Sequence, residues 1–390
     1  MFKIKTYNAI STKGLDRFSR DKYEVASEMG RPDGYILRSH KLHGEAVPET
    51  VKAVARAGAG VNNIPVDDYT KQGVVVFNTP GANANAVKEL VLAGLLLSSR
   101  GILPGLDYVN TLGGIKDAGE MSKLLEAEKK RFAGSELYGK KLGVVGLGAI
   151  GSMVAEMALA MGMDVAGYDP ALSVEAAWRL PGQVIRKENL QSLLSHADYV
   201  TLHVPAIEAT KHMINSETLK SVKKGAVLVN FARDAVVDAQ AVVASLDRGD
   251  LGQYVCDFPE PCLIGHAKVI AMPHIGASTA EAEENCAIMA ANQLMDYLEN
   301  GNITNSVNFP AVSMSRAGGY RLTLANENVS GVLGHVLGVL ADNQVNVIDM
   351  MNKSRGEVAY NVIDVEQQPA DSVVAAIKEV DHVITVRVLG

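Results

Sequence analysis

A chain of 390 residues exceeds what one hydrophobic core commonly supports, so two or three domains are expected. Hydrophobic residues make up 47% and charged residues 21%, which excludes long disorder; a formal net charge of -7 excludes a general binder of nucleic acid or anionic membrane, since those need a basic field. The three cysteines, Cys256, Cys262 and Cys286, include no pair at the two-residue spacing of a structural zinc site, so no metal is expected and a reducing cytoplasmic setting fits. The start, MFKIKTYNAI, has no apolar secretion core, and the most apolar run, Leu90 to Leu97, is under half a membrane span.

From Lys3 to about Gly101, apolar runs such as Tyr35-Ile36-Leu37 and Val74-Val75-Val76-Phe77 alternate with helical patterns such as Pro48 to Arg56. The alternation predicts parallel strands with crossover helices, a flavodoxin-like α/β domain. Residues 107–140, rich in Lys and Glu with breaks at Gly113-Gly114 and Gly134, predict helix and connecting surface. Between Leu142 and about Ala280 come six more strand candidates, LGVVG, DVAGYD, YVTLHVP, AVLVNFA, GQYVCDF and KVIAMPH, the rhythm of a doubly wound Rossmann domain. Residues 279–299 predict one long helix, with Ser278 and Glu281 spaced as a capping box.

Residues 306–319 carry Pro310 and two adjacent glycines and predict a linker. Beyond it the order is strand 320–325, helix 331–341, strand 345–351, strand 358–365, helix 370–379 and strand 383–388, with Lys353 to Gly356 as the hairpin turn. That is a ferredoxin-like βαββαβ pattern, a fold that hosts many functions. The expected division is 1–100 with 283–312 for substrate, 101–282 for a dinucleotide, and 317–390 as the tail.

The strand KLGVVG runs into Gly146-Leu147-Gly148-Ala149-Ile150-Gly151 and then an apolar helix. The first glycine permits the tight turn, the second lets backbone approach a pyrophosphate, and the third lets helix pack on strand. The next strand ends in Asp169, about 18 residues past the last glycine, where a ribose-binding carboxylate belongs. A carboxylate there repels the extra phosphate of NADP, and Pro170 and Ala171 bring no arginine, so NAD is the expected cofactor. Because the fingerprint falls in mid-chain, the preceding α/β unit is expected to bind substrate, with the active site in the cleft between the two.

Hydride exchange with a hydroxy acid needs a proton acceptor, a cation for the carboxylate, and a group that tunes the acceptor. Three candidates follow successive strands: Arg233 after AVLVNFA, Glu260 after GQYVCDF, His274 after KVIAMP. Singly, each has a plain structural alternative: a solvated charge, a loop residue between two prolines, a helix cap. Their joint placement downstream of a dinucleotide fingerprint favours chemistry.

With these residues in view, the chain resembles the D-isomer-specific 2-hydroxyacid dehydrogenases. The likeness rests on Leu147-Gly148-Ala149-Ile150-Gly151, Leu202-His203-Val204-Pro205, Val229-Asn230-Phe231-Ala232-Arg233, Asp257-Phe258-Pro259-Glu260-Pro261 and Pro273-His274-Ile275-Gly276-Ala277-Ser278-Thr279. It implies that His274 exchanges the substrate proton, that Glu260 hydrogen-bonds His274 and raises its basicity, and that Arg233 binds the substrate carboxylate. It also implies that His203, Val204 and Pro205 line the adenine side, and that Phe231, Ala232, Asp257 and Gly276 face the cofactor, Asp257 near the nicotinamide. Two departures stand out: Asp257 and Glu260 are three apart, closer than the family pattern, which leaves the geometry of Glu260 open, and Ile207 replaces a threonine expected to touch the cofactor.

Arg38-Ser39, with Lys41 nearby, follows the strand YIL and could hold a phosphate in an otherwise acidic protein. Family members that act on 3-phosphoglycerate have a similar Arg-Ser. The loops Arg56 to Val61 and Asn78 to Asn83 also resemble family loops, which implies substrate contacts at Ala59, Gly60 and Asn83. The alternatives are an unphosphorylated substrate such as glycerate, lactate or 2-hydroxyglutarate, and a non-enzymatic NADH sensor that binds partner proteins. Residues 317–390 resemble an ACT domain, an amino-acid-sensing module. That likeness implies an L-serine effector at Asn326, Asn328 and Asn346, with Asn326 standing where a histidine is usual, and a homodimer or homotetramer.

Overall fold

The computed structural model describes residues 1–390, with side chains for all but Glu175. It divides into two compact units, Met1–Asn83 with Ala280–Gly390, and Ala84–Thr279. No helix of the described residues is long and apolar enough to cross a membrane.

The N-terminal part of the first unit is a five-stranded parallel sheet of β1 (Phe2–Thr6), β2 (Tyr23–Ala26), β3 (Gly34–Leu37), β4 (Ala53–Arg56) and β5 (Val75–Phe77). Its order, β2-β1-β3-β4-β5, is flavodoxin-like, with short helices α1 (Thr12–Leu15) and α2 (Val66–Lys71) among the connections. The helix expected over Pro48–Arg56 is absent: Val51 N–H closes a turn onto Pro48 O, and Ala53–Arg56 is an inner strand. Ala53, Val54 and Ala55 are buried on both faces, so no alternation marks them as strand, and sheet position overrides the helical preference of alanine.

The second unit begins with α3 (Ala84–Ser99), α4 (Ile102–Thr111) and α5 (Ala118–Glu128). Then β6 (Lys141–Val145), α6 (Ala149–Ala160), β7 (Asp164–Tyr168), α7 (Val174–Ala177), β8 (Ile185–Arg186), α8 (Leu190–Leu194), β9 (Tyr199–Leu202), β10 (Ala226–Asn230), α9 (Ala239–Arg248), β11 (Leu251–Cys256) and β12 (Val269–Ala271) build a parallel sheet. Its order, β12-β11-β10-β9-β6-β7-β8, reverses between β6 and β9, the switch point where a Rossmann sheet takes its ligand. All six expected strands form. Only β8 was unforeseen, its two residues carrying no pattern.

The first unit resumes with α10 (Ala280–Asn300), which starts one residue later than a Ser278 cap would place it. Gly14 on α1 is required by this packing, since a Cβ there would lie 2.5 Å from that of Ala287. Residues 306–319 are not a free linker. Phe309 and Val312 are buried with Phe77 and Tyr297, and Ser306 bridges to Phe77. The glycine signal at 318–319 is real, but the segment before it supplies core side chains.

The tail has the expected order: β13 (Tyr320–Glu327), α11 (Val332–Asp342), β14 (Val347–Arg355), β15 (Val358–Val365), α12 (Asp371–Lys378) and β16 (Val383–Leu389). The sheet β14-β15-β13-β16 is antiparallel and ferredoxin-like. The hairpin is tighter than expected, with only Gly356 and Glu357 between its strands. One face carries Leu322, Leu324, Ile363 and Val365 against α11 and α12; the other sets Val358, Tyr360 and Val362 against Phe77, Tyr297 and Phe309. Three guanidiniums complete the attachment. Arg387, Arg316 and Arg321 donate to the carbonyls of Leu298, Glu299 and Asn300 at 2.9 Å each, satisfying the last turn of α10 and opposing its dipole. Arg321 is wholly buried and forks onto Asp364 at 2.6 and 2.9 Å; burial works to raise the Asp364 pKa, and that guanidinium with the Ala317 N–H overrides it and holds it low.

Candidate active site and dinucleotide site

The turn after β6 has the geometry a dinucleotide requires. Gly146 has φ +87, and a Cβ there would lie 2.5 Å from His203 O; at Gly151 it would lie 1.9 Å from Gly146 O. Gly148 faces open space, and among the described residues nothing accepts from the amides of Gly148, Ala149 or Ile150. Three free N–H groups at a helix N-terminus suit a diphosphate. Asp169 Oδ2 accepts Leu147 N–H at 2.8 Å and Oδ1 accepts Ala171 N–H at 2.9 Å, which fixes the carboxylate at the end of β7 with lone pairs left for ribose hydroxyls. Beyond it opens a groove of about 710 Å³ lined by Leu147, Pro170, Leu172 and Trp178 among others.

His203 follows β9, across the switch point, with a ring nitrogen 2.9 Å from Thr201 Oγ1 and its Nδ1 buried without a partner. Burial pulls its pKa down to about 3, so the ring is neutral at physiological pH. Three free amides at the turn and a fixed carboxylate at the end of β7 fit NAD. The loop after Pro205 is closed by Thr210, whose hydroxyl bonds Pro205 O at 2.5 Å and accepts Ile207 N–H at 3.1 Å. A threonine hydroxyl is therefore present three residues beyond the position where one was missed.

Arg233, Glu260 and His274 follow β10, β11 and β12, neighbours in the sheet, on its carboxyl edge. Asn230, wholly buried, sets the first: its Nδ2 donates to Arg233 O at 2.9 Å and its Oδ1 accepts Ala232 N–H at 3.1 Å, while Arg233 Nη1 donates to Ala232 O at 2.6 Å. The remaining guanidinium N–H groups have no protein partner among the described residues. Phe231 and Ala232 are buried, Phe231 packing on Gly94 of α3. His274 is exposed, with φ +57, a left-handed conformation uncommon for residues other than glycine, though asparagine, aspartate and histidine adopt it more often than the rest. Asp257 holds that bend. Only 2% exposed, it accepts Ile275 N–H at 2.8 Å and Gly276 N–H at 2.6 Å, and a Cβ at Gly276 would press on the same oxygen at 3.0 Å.

The expected Glu260–His274 hydrogen bond is not formed. The imidazole leans on Phe258 instead, centroids 4.8 Å apart, while the Glu260 carboxylate lies close enough to Tyr254 and Cys256 to help raise both pKa values, which burial raises most. Pro261 after it holds the Glu260 backbone extended, at φ -106 and ψ 154.

At the carboxyl edge of the first unit's sheet, Arg38 follows β3 and is ion-paired with Glu283 of α10, so a carboxylate already occupies the proposed phosphate cation. Asn8 Oδ1 accepts the amides of Ser39 and His40 at 3.2 and 2.7 Å. The amides of Ala59 and Gly60 donate to no protein partner among the described residues, and Asn78 Nδ2 braces that loop through Ala59 O at 2.6 Å. Asn83 closes the turn ahead of α3. Two residues outside the expected set belong here: Asn78, and Arg56, whose Nε donates to Arg38 O at 3.0 Å from the neighbouring strand end. A second arginine opposite Leu37 was legible once β4 was a strand.

In the tail, Asn326 is 4% exposed and spent: its Nδ2 donates to Glu327 O and its Oδ1 accepts Asn361 Nδ2 at 2.8 Å. Asn328 sits at the hairpin end, bonded to Gly356 O at 3.0 Å, while exposed Asn346 precedes β14 at the opposite end. The nine residues of β14 span about 30 Å, so one chain does not bring the two to one ligand. Among the described residues no group of three or more His, Cys, Asp or Glu could hold a metal, and all three cysteines are free.

The fold and these strand ends define an oxidoreductase of the NAD-binding type, and the comparisons agree. Residues 109–276 match the family described as D-isomer specific 2-hydroxyacid dehydrogenase, NAD binding domain, and the chain belongs to the D-isomer-specific 2-hydroxyacid dehydrogenases. Within that family it is similar to D-3-phosphoglycerate dehydrogenases. The protein of that name from Haemophilus influenzae is 35% identical over 358 residues, 88% of this chain and 82% of the relative. That from Methanocaldococcus jannaschii is 33% identical over 352 residues, 88% of this chain but only 63% of the relative's length. Among solved structures, NAD+-bound 3-phosphoglycerate dehydrogenase from Entamoeba histolytica superposes with a TM-score of 0.60 at 25% identity, covering 79% of this chain and 98% of that one.

Proposed function

We propose that the chain oxidises 3-phospho-D-glycerate to 3-phosphooxypyruvate with NAD, the entry step of L-serine synthesis, in the cytoplasm. The observation that carries the reading is the Asp257-held left-handed bend that presents an exposed His274 on the same sheet edge as Arg233, two strand spacings or about 10 Å away. Bound NAD supplies the hydride acceptor for C2 of the alcohol. A free ring nitrogen of His274 takes the hydroxyl proton, and Arg233 offers a planar fork to the carboxylate. Glu260 is the proposed partner of the protonated imidazole, reached by rotation of its side chain. In the first unit, Arg38 with Ser39 takes the phosphate, displacing Glu283, while the amides of Ala59 and Gly60 and the side chain of Asn83 hold the rest of the molecule.

The division proposed is substrate binding by 1–100 with 283–312, NAD binding by 101–282, and regulation by 317–390 as an ACT domain. Serine would bind Asn328 of one copy and Asn346 of a second, since opposite ends of one sheet meet only across a two-fold axis. The exposed edge of β14 and the exposed Leu103, Leu106 and Val109 of α4 support a homodimer or homotetramer.

NADH formation followed with 3-phosphoglycerate, glycerate and lactate, with and without serine, tests the reading. Turnover selective for the phosphorylated acid is expected; equal turnover of glycerate would move the assignment to an unphosphorylated substrate, which the Glu283 pairing of Arg38 favours. NADH binding without reduction of any 2-keto acid would leave a sensor. Asn346→Ala should abolish serine inhibition and leave uninhibited turnover intact.

A further inference from the structure

The protein's one tryptophan, Trp178, is 85% exposed. Among the described residues no other ring packs on it, and its neighbour Val174 is 69% exposed. Leaving the largest side chain in water forfeits more apolar burial than at any other residue type, so an exposed tryptophan on a groove wall marks a contact that is made with something else. The groove is the one that Asp169 opens onto, and its other walls are largely apolar: Leu147, Pro170, Leu172, Leu180 and Val184.

The direction of the site identifies the occupant. The free amides of Gly148, Ala149 and Ile150 mark the diphosphate and Asp169 marks a ribose, so the group next in line past Asp169 is the base that the ribose carries. A purine is flat, apolar on both faces and matched by an indole. Trp178 is also cheaply moved: it follows α7, a single turn of four residues capped by Ser173 Oγ on Ala176 N–H at 3.1 Å, and neither Val174, Ala177 nor Trp178 belongs to the core of the sheet, whereas Leu172 and Leu180 on either side pack against it and anchor the turn. We propose that Trp178 stacks on the adenine of the bound dinucleotide from the β8 side, opposite the side that the resemblance gives to His203, Val204 and Pro205 after β9, and that the turn at 173–178 acts as a flap over it, so that this ring sets much of the affinity for the adenosine half. The inference rests on the NAD reading above and adds a specific determinant to it.

The sole tryptophan is its own reporter. ADP-ribose and AMP should quench its fluorescence on titration, whereas nicotinamide mononucleotide should not. By calorimetry, Trp178→Ala should weaken ADP-ribose on the order of tenfold, as base–aromatic stacking does, with nicotinamide mononucleotide unaffected and Trp178→Phe close to the wild type. Wild-type protein that binds ADP-ribose by calorimetry with unchanged fluorescence, or a Trp178→Ala protein that binds it equally well, overturns the flap while leaving the NAD reading standing. Wild-type protein that binds neither ADP-ribose nor NAD overturns the NAD reading itself. A shift in sedimentation of Trp178→Ala without loss of ADP-ribose affinity would assign the ring to contact between copies and overturn the proposal.

Discussion

Asp257 and Asp364 are both buried carboxylates, one in each compact unit, and they are satisfied in different ways. Asp364 is met by a guanidinium and one amide, so its charge is cancelled where it stands and the pair holds the tail sheet to the end of α10. Asp257 is met only by the amides of Ile275 and Gly276, dipoles that stabilise a charge without neutralising it. A carboxylate paired with arginine is architecture. One solvated by the backbone of a loop that ends in an exposed imidazole is placed to shape that loop and its field.

Breaking the first arrangement should cost most. Arg321→Leu strands Asp364 without its counter-charge, and about 3–5 kcal/mol of stability is expected to go, measured by denaturant unfolding, whereas the double change Arg321→Leu with Asp364→Leu should recover much of it. Breaking the second should act on chemistry. Asp257→Asn turns one acceptor into a donor that opposes an N–H, so turnover is expected to fall on the order of 100-fold, with a stability loss nearer 1–2 kcal/mol by the same unfolding assay. A loss of stability equal to that of Arg321→Leu, with turnover per folded molecule intact, would erase the distinction.

A milder contrast concerns a carboxylate that is exposed. Glu283 shields Arg38 at the surface, so Glu283→Gln should lower KM for 3-phosphoglycerate a few-fold, and Arg38→Ala should raise it by about 10-fold or more without matching change for glycerate. The smallest effect belongs to a buried group carrying no charge. With His203 held near a pKa of about 3 and the unfolded value near 6.5, the unfolded state binds the proton first as pH drops. Its contribution is complete above pH ~6.5 and declines as acid rises, by about 1 kcal/mol or less between pH 7 and pH 6. His203→Gln should flatten that part of the stability–pH curve.

Legibility in the sequence tracked how much of each feature is local. The fingerprint glycines, Asp169 and the six strands of the second unit were readable because turn chemistry and strand length repeat within a few residues. The strand at Ala53–Arg56 was not, because burial on both faces removes the alternation that identifies a strand. Residues 306–319 read as linker through Pro310, two adjacent glycines and small side chains, yet Phe309 and Val312 find their core across more than 200 residues of chain. The three candidate residues were named from strand ends, but the bracing of that edge by Asn230 and Asp257 and the burial of Asn326 depend on hydrogen bonds no spacing reveals.

The left-handed backbone at position 274 has a practical outcome for anyone wanting the bound state. Asparagine tolerates that φ better than most residues, so His274→Asn should keep the bend and melt no lower than the parent while turnover drops by about 100-fold to 10,000-fold. Such a protein would be a chemically silent receptor, suited to soaking with intact substrate and oxidised cofactor together and capturing the complex before anything reacts.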